Sequence, residues 1–433
     1  MLLSFRFANH RSFRDEQQLN LLPAYESDYP DDIPALPVVG IFGANASGKS
    51  NTIGALVDMQ RLAIYSDRES DPDTGVERSP YRLDPGVAVE PSRYVVDLMI
   101  EGIRYTYGFA LDDNEILEEW LYSYPLKRRR VIFERNGSAF HFGEEAQRTP
   151  LDRVVEITAP NALFLTIAAR ARQEPVIPVF NWFYRNVRVS LQQSRFLSQR
   201  NLSRYIERLE DKRRKEIVID LVRAADLGLQ DVLLSTPSDS EQEQPDLDFL
   251  SGREALGPGY RMVRGNGRRL LFSHTGAQGE VFLEWADQST GTRQLFDLAL
   301  KAESALHGGS LLLVDEIDSS LHPVLTASLI RLFQNFEVNK KGAQLILTTH
   351  DSTLLGSLEG SDILCRDQIW FTEKGDDGAS ILFPLSDFHP RKQENRQRRY
   401  LNGSYGAIPI VSDELFIKAL TSRGDMDDPE ESS

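Results

Sequence analysis

Cysteine is the scarcest resource of this sequence. Cys365 is the one thiol in 433 residues, so neither an intrachain disulfide nor a cluster of thiolate metal ligands is available, which fits a reducing compartment. It stands in the apolar run Ile363-Leu364-Cys365 and is expected in the core. Long apolar runs are missing too. No stretch approaches the ~18–20 residues that span a bilayer, and Met1-Leu2-Leu3-Ser4-Phe5-Arg6-Phe7 lacks the charged and then apolar pattern of a secretory signal. A cytoplasmic protein without membrane contact is the expectation. Positive charge is in deficit: 49 Lys plus Arg face 65 Asp plus Glu, a formal charge of −16, which argues against coating nucleic acid through overall charge. Nucleic acid stays open as a ligand through three local patches, Lys127-Arg128-Arg129-Arg130, Lys212-Arg213-Arg214-Lys215, and Arg391-Lys392 with Arg396, Arg398 and Arg399. Each also reads as a solvated face. No heptad pattern lasts long enough for a coiled coil.

What is present is ordinary globular composition, with 41% hydrophobic and 26% charged residues, enough to bury a large core and to fill several domains. Residues 2–7 alternate apolar and polar, as an edge strand does. Pro37 to Phe42 is a short apolar run suited to a buried parallel strand, followed by a glycine-rich turn and a helical pattern from Lys49 to Ile64. Period-two segments flank Glu101-Gly102 and Asn136-Gly137 as two β-hairpins. The spacing then favours helices over 161–231, Arg204 to Leu227 being the longest, a polar linker from Thr236 to Pro245, and strands at 270–272 and 281–283. An amphipathic helix follows near 293–306, and the acidic tail Gly424 to Ser433 reads as disordered.

Gly43-Ala44-Asn45-Ala46-Ser47-Gly48-Lys49-Ser50 matches G-x-x-x-x-G-K-[ST] between a buried strand and a helix start. A chain of this length meets that pattern by chance on the order of one to two times in a hundred. The glycines let backbone N–H groups close around a β-phosphate, and Lys49 bridges the β- and γ-phosphates. Ser50 ligates Mg²⁺, and Asn51 completes the nucleotide-binding set. Leu311-Leu312-Leu313-Val314-Asp315-Glu316 is an apolar strand ending in two acids whose side chains point to opposite faces. Asp315 is assigned to Mg²⁺ through water and Glu316 to general-base work on the attacking water. Gln344 to Thr348 repeats the design and ends at His350, placed to hydrogen-bond a γ-phosphate. Ser289-Thr290-Gly291-Thr292, before a helix, offers a hydroxyl and free N–H groups to an oxyanion. Its position between the P-loop Gly43–Ser50 and the Walker B strand Leu311–Glu316 is that of an ABC-type signature, with Ser289, Gly291 and Thr292 meeting a γ-phosphate bound on the opposite subunit.

With these motifs the chain resembles the ABC-type AAA-family ATPases of bacterial phage-defence modules, RloA- and AriA-like, related to the OLD-family ATPase domain. The resemblance rests on Asn9-His10-Arg11-Ser12-Phe13, the P-loop, Ser289 to Thr292, Asp315 to Pro323, Thr348-Thr349-His350-Asp351, Gln368 to Lys374, and the block from Pro390 to Pro409. It implies an α/β P-loop NTPase of ABC-head type, like the heads of SMC and RecF proteins. That is a mixed central sheet with an antiparallel β subdomain and a helical insertion. The expected division is an N-terminal lobe over 1–160, a helical insertion over 161–235, a linker over 236–257, a C-terminal lobe over 258–386, and a C-terminal segment over 387–433. The resemblance further implies dimerisation or higher assembly around ATP and Mg²⁺, Asp318 in the D-loop between the sites, and a separately encoded effector, often a TOPRIM-type nuclease. Ser79-Pro80-Tyr81-Arg82-Leu83 holds no Q-loop glutamine, and Ser-Thr-Gly-Thr departs from the transporter signature. Three readings stand side by side: a defence ATPase controlling a partner, a RecF- or SMC-like ATPase that clamps DNA, and the energy-coupling subunit of a transporter, against which the last two departures count. The arginines and tyrosines from Pro390 to Pro409 read equally as a partner surface or as packing of the C-terminal strands.

Overall fold

The computed structural model describes residues 1–29, 33–69, 74–143, 148–191, 206–224, 228–235, 269–319, 321–392 and 394–408. Its strands, in chain order, are β1 (Leu2–Ala8), β2 (Gln17–Asn20), β3 (Val38–Phe42), β4 (Ser92–Ile100), β5 (Ile103–Leu111), β6 (Ile116–Ser123), β7 (Arg130–Asn136), β8 (Ala139–Phe142), β9 (Val187–Ser190), β10 (Leu229–Ser235), β11 (Arg269–Gly276), β12 (Gly279–Glu284), β13 (Leu311–Val314), β14 (Gln344–Thr348), β15 (Ser357–Leu358), β16 (Ser361–Asp362), β17 (Ile369–Lys374) and β18 (Ser380–Pro384). A six-stranded sheet runs β18-β17-β3-β14-β13-β9. All its neighbours pair in parallel except β17 with β18. A seven-stranded antiparallel sheet runs β2-β1-β4-β5-β6-β7-β8, and β10-β11-β12 form a small third sheet.

The central strands are continuous apolar runs because both of their faces are covered. Val39, Ile41, Leu311, Leu313 and Ile346 pack into one core together with Ile53, Leu56 and Met59 of helix Lys49–Glu69 and with Tyr94, Val96, Tyr107 and Phe109 of the antiparallel sheet. Their alternates Val38, Phe42, Leu312, Val314, Leu345 and Leu347 pack into a second core with Phe296 and Leu300 of helix Thr290–Gly308 and Ile330 and Phe333 of helix Pro323–Gln334. A buried amide joins the two sheets: Gln344 accepts from the Leu2 N–H at 2.6 Å and donates to the Leu2 and Leu36 carbonyls.

Both expected hairpins are present, with Ile100 opposite Ile103 and Asn136 opposite Ala139. The second turn is therefore Gly137-Ser138, one residue later than the Asn-Gly reading. Gly137 takes the positive φ of 56° that the turn requires. The strand at 2–7 is not an edge. β1 lies between β2 and β4, and of its polar positions Ser4 is buried and Arg6 half-buried, because Asp97 accepts from the Ser4 hydroxyl at 2.9 Å and pairs with Arg6 at 4.0 Å. The alternation that signals water here signals a buried carboxylate. Within 161–231, where helices were expected, Val187–Ser190 joins the central sheet and Leu229–Ser235 the small one. Four residues of period two are too few to outweigh the helical spacing on either side. Cys365 is half-buried rather than core, beside the Tyr29 phenol, and burial raises its thiol pKa. The linker and the acidic tail lie outside the described residues. No helix among the described residues is long and apolar enough to cross a membrane.

The C-terminal arginines and tyrosines resolve into different roles. Tyr400 and Tyr405 stack on Phe371 at 5.4 and 5.7 Å, and their hydroxyls bond the Ala407 carbonyl and Glu394. Arg396 is buried, donating to the Leu364 carbonyl at 2.9 Å and pairing with Asp362 at 2.7 Å, while Arg398 and Arg399 are exposed. This corrects Arg396 as part of a docking face. Arg396→Ala is expected to lower unfolding stability by about 1–3 kcal/mol, through the Leu364 carbonyl left without its donor. Arg398→Ala should stay within about 0.5 kcal/mol. Urea denaturation of both variants checks the contrast.

Candidate functional site

Three neighbouring parallel strands, β3, β14 and β13, end on one edge of the central sheet, and each is followed by a motif. In open α/β sheets this carboxyl edge is where ligands bind. After β3 the P-loop turns through Gly43, Ala46 and Gly48, with φ of 154°, 61° and 118°. Its floor is the β17–β18 hairpin. A Cβ on Gly43 would lie 2.4 Å from the Thr372 carbonyl oxygen, and one on Gly48 would lie 2.8 Å from the Ser380 hydroxyl. Ser47 bonds the Thr372 hydroxyl at 2.6 Å. On the far side Ser12 accepts from the Asn51 amide at 2.8 Å and bonds the Ser380 hydroxyl at 2.8 Å. The Asn9 to Phe13 block thus braces the start of the P-loop helix.

Lys49 is buried and donates to the carbonyls of Gly43 and Ala44 at 2.7 and 2.9 Å. Desolvation holds its pKa below the usual lysine value, while Glu316, Asp318 and Asp315 pull the other way. One cation therefore feels three carboxylates from the segment after β13. Thr348, at the end of β14, donates its hydroxyl hydrogen to Asp315 at 2.6 Å and accepts the Glu316 backbone N–H at 2.7 Å. Glu316 sits at φ 50°, a left-handed conformation, with its carbonyl bonded by the Ser319 N–H and hydroxyl. His350 Nδ1 lies 2.8 Å from the Asp318 carboxylate of the same chain; the imidazole is exposed and the carboxylate almost buried.

Ser50 is half-buried in the first turn of the P-loop helix, beside Lys49. A serine hydroxyl and an aspartate are hard oxygen donors, the set that suits Mg²⁺. Backbone amides freed by positive-φ residues at a helix N-terminus suit phosphate. The residues present fit both.

Ser289 opens the helix Thr290–Gly308. Its hydroxyl accepts the Thr292 N–H at 3.1 Å and bonds the Thr292 hydroxyl at 2.8 Å, capping its own helix. Ser289, Thr290 and Gly291 are exposed. The Ser79–Leu83 segment packs on the N-terminal block instead, where the Ser79 carbonyl accepts from Arg11 and the Tyr81 N–H donates to Asn9. Sequence reading missed Thr348, Thr372 and Ser380. For Thr348 the available signal was a hydroxyl residue ending a buried strand, which His350 overshadowed in the Thr-Thr-His run; Thr372 lies inside β17 and Ser380 opens β18.

A P-loop after an inner strand of a mainly parallel sheet, acids after the strand two places away and an antiparallel subdomain define a mixed α/β P-loop ATPase fold. Residues 38–356 match the family model described as "AAA domain, putative AbiEii toxin, Type IV TA system". The chain belongs to that family. None of the curated proteins compared with the chain matches it. Among solved structures it is similar to an SMC head bound to the C-terminal winged-helix domain of ScpA, at 14% identity and TM-score 0.43, covering 90% of this chain and 99% of that one. The SMC head domain from Thermotoga maritima gives 14% and 0.38 over 88% and 98%. An SMC head with an extended coiled coil bound to the C-terminal domain of ScpA, derived from Pyrococcus furiosus, gives 12% and 0.42 over 90% and 97%.

Proposed function

We propose that this chain hydrolyses ATP with Mg²⁺ and acts as the ATP-driven sensor or scaffold of a bacterial anti-phage complex that controls a separate effector. The observation that carries the hydrolysis is the convergence of Lys49 with Asp315, Glu316 and Asp318 on one sheet edge. In this reading Lys49 leaves the Gly43 and Ala44 carbonyls for the β- and γ-phosphates, and the P-loop amides hold the β-phosphate. Ser50 directly and Asp315 through water would hold Mg²⁺, which neutralises charge between the phosphates. The Glu316 carboxylate takes a proton from water as its oxygen bonds the γ-phosphorus. The bond from that phosphorus to the bridging oxygen breaks, and ADP departs. His350 turns from Asp318 to the γ-phosphate, and Asp318 is freed toward the second subunit. Ser289 and Gly291, both exposed, complete the partner's site, while Thr292, expected there too, is buried with its hydroxyl bonded to Ser289.

Lys49→Ala is expected to weaken ATP affinity about 100-fold, since contacts to a charged group are each worth ~1.5–3 kcal/mol. Calorimetric titration of ATP measures it, and undiminished binding would remove Lys49 from the phosphate site. The defence role is supported by the toxin–antitoxin description of the family and by the resemblance to phage-defence ATPases; a TOPRIM-type nuclease is the effector this reading favours. Affinity purification with and without ATP tests it. A co-purifying nuclease supports the reading. Steeply salt-dependent DNA binding by a chain that purifies alone favours a DNA clamp instead.

A further inference from the structure

We infer that Thr348 is the positioning residue that sets both Walker B acids at once, holding Asp315 in its metal-facing orientation and Glu316 in its left-handed backbone conformation. The inference rests on the ATPase reading above. Its hydroxyl makes two bonds to consecutive residues just past the neighbouring strand's end: it donates to the Asp315 carboxylate at 2.6 Å and accepts the Glu316 N–H at 2.7 Å. Thr348 is fully buried, so it cannot itself touch substrate.

The placement follows from register. β14 is flanked by β13 and β3, with Leu347 opposite Val314 and Thr348 opposite Ile41. The residue after Val314 therefore arrives beside Thr348 on one side, while the P-loop strand lies on the other. Glu316 needs the help. A non-glycine residue at φ 50° is held in a sparsely populated region, and such conformations persist only where neighbours over-determine them. Here Ser319 grips the Glu316 carbonyl and Thr348 grips its N–H. The same hydroxyl that accepts from Glu316 directs its one hydrogen to Asp315. One side chain thereby ties the orientation of the metal-side acid to the backbone of the base.

Three hydroxyl states separate this role from packing. Thr348→Val keeps the shape and removes both bonds, whereas Thr348→Ser keeps the hydroxyl and removes a methyl. Thr348→Val is expected to lose roughly 10- to 100-fold in kcat, the usual cost of removing a group that orients a metal ligand. KM for ATP should change little, and the Mg²⁺ concentration for half-maximal rate should rise. Thr348→Ser should stay near wild type in all three. Two readouts do not depend on turnover. Electron paramagnetic resonance of Mn²⁺ in the complex with a non-hydrolysable ATP analogue should show weaker Mn²⁺ binding by Thr348→Val. Amide exchange of the nucleotide-free peptide over 314–319 should be faster in Thr348→Val than in wild type or Thr348→Ser. Unchanged Mn²⁺ affinity together with unchanged exchange in Thr348→Val overturns the inference, as does a Thr348→Ser variant as impaired as the valine. If wild type hydrolyses no ATP, the ATPase reading falls, and the exchange contrast still decides whether Thr348 holds the Walker B acids.

Discussion

Glu316→Gln is expected to keep ATP binding and to lose about 10²- to 10⁴-fold in turnover, the range that general-base catalysis supplies. The substitution is close to isosteric, and the contacts that fix this position are made by its backbone, through Thr348 and Ser319. An amide in the same place cannot take the proton of the attacking water. Phosphate release under single-turnover conditions measures the loss, and titration with a non-hydrolysable analogue measures the retained affinity. Equal turnover by wild type and variant would sink the assignment of Glu316 as base. A fall in affinity of the same size as the fall in rate would recast it as a binding residue.

Gly291→Asp is expected to bind ATP at its own P-loop and to be inactive as a homodimer. Nothing within the subunit forbids the side chain. A Cβ on Gly291 would find only the Ser289 hydroxyl, 3.9 Å away, and an acid in a helix's first turn complements the helix dipole. The harm lies outside the chain, because a carboxylate facing the γ-phosphate held by a second subunit adds like-charge repulsion. Mixed with Lys49→Ala, each heterodimer pairs one damaged P-loop with one damaged signature and leaves the other composite site whole. An equimolar, freely exchanging mixture should therefore recover about a quarter of wild-type rate when the two symmetric sites act independently. Native mass spectrometry verifies the heterodimer. A verified heterodimer without activity removes the main support for the shared site.

The phosphate end of the molecule was legible because its chemistry is local. Gly43 to Ser50 is one continuous segment between a buried strand and a helix, and the apolar runs before Asp315 and His350 are buried strands of the same sheet. The helix beginning at Thr290 was legible from its cap and spacing. What escaped the sequence is what depends on distant partners. Polar positions of β1 read as solvent-facing until Asp97, far along the chain, is placed against them. Arg396 looked like one more surface cation, and only the fold brings the Leu364 carbonyl to it. Thr348 lies inside the Thr348-Thr349-His350-Asp351 block, where nothing local marks its role. Its meaning arises from a strand register, and a single sequence does not print registers.

The family match ends at residue 356, yet the surface on which the P-loop rests comes from Thr372 and Ser380. A polypeptide truncated at the match boundary would retain the P-loop, the signature helix, Walker B and His350, and would still lose the template against which Gly43 and Gly48 are moulded. In the proposed reading, possession of the motifs and competence to hold phosphate are therefore expected to be separable. The second would be a property of the complete sheet, conferred on the loop by a hairpin more than three hundred residues downstream.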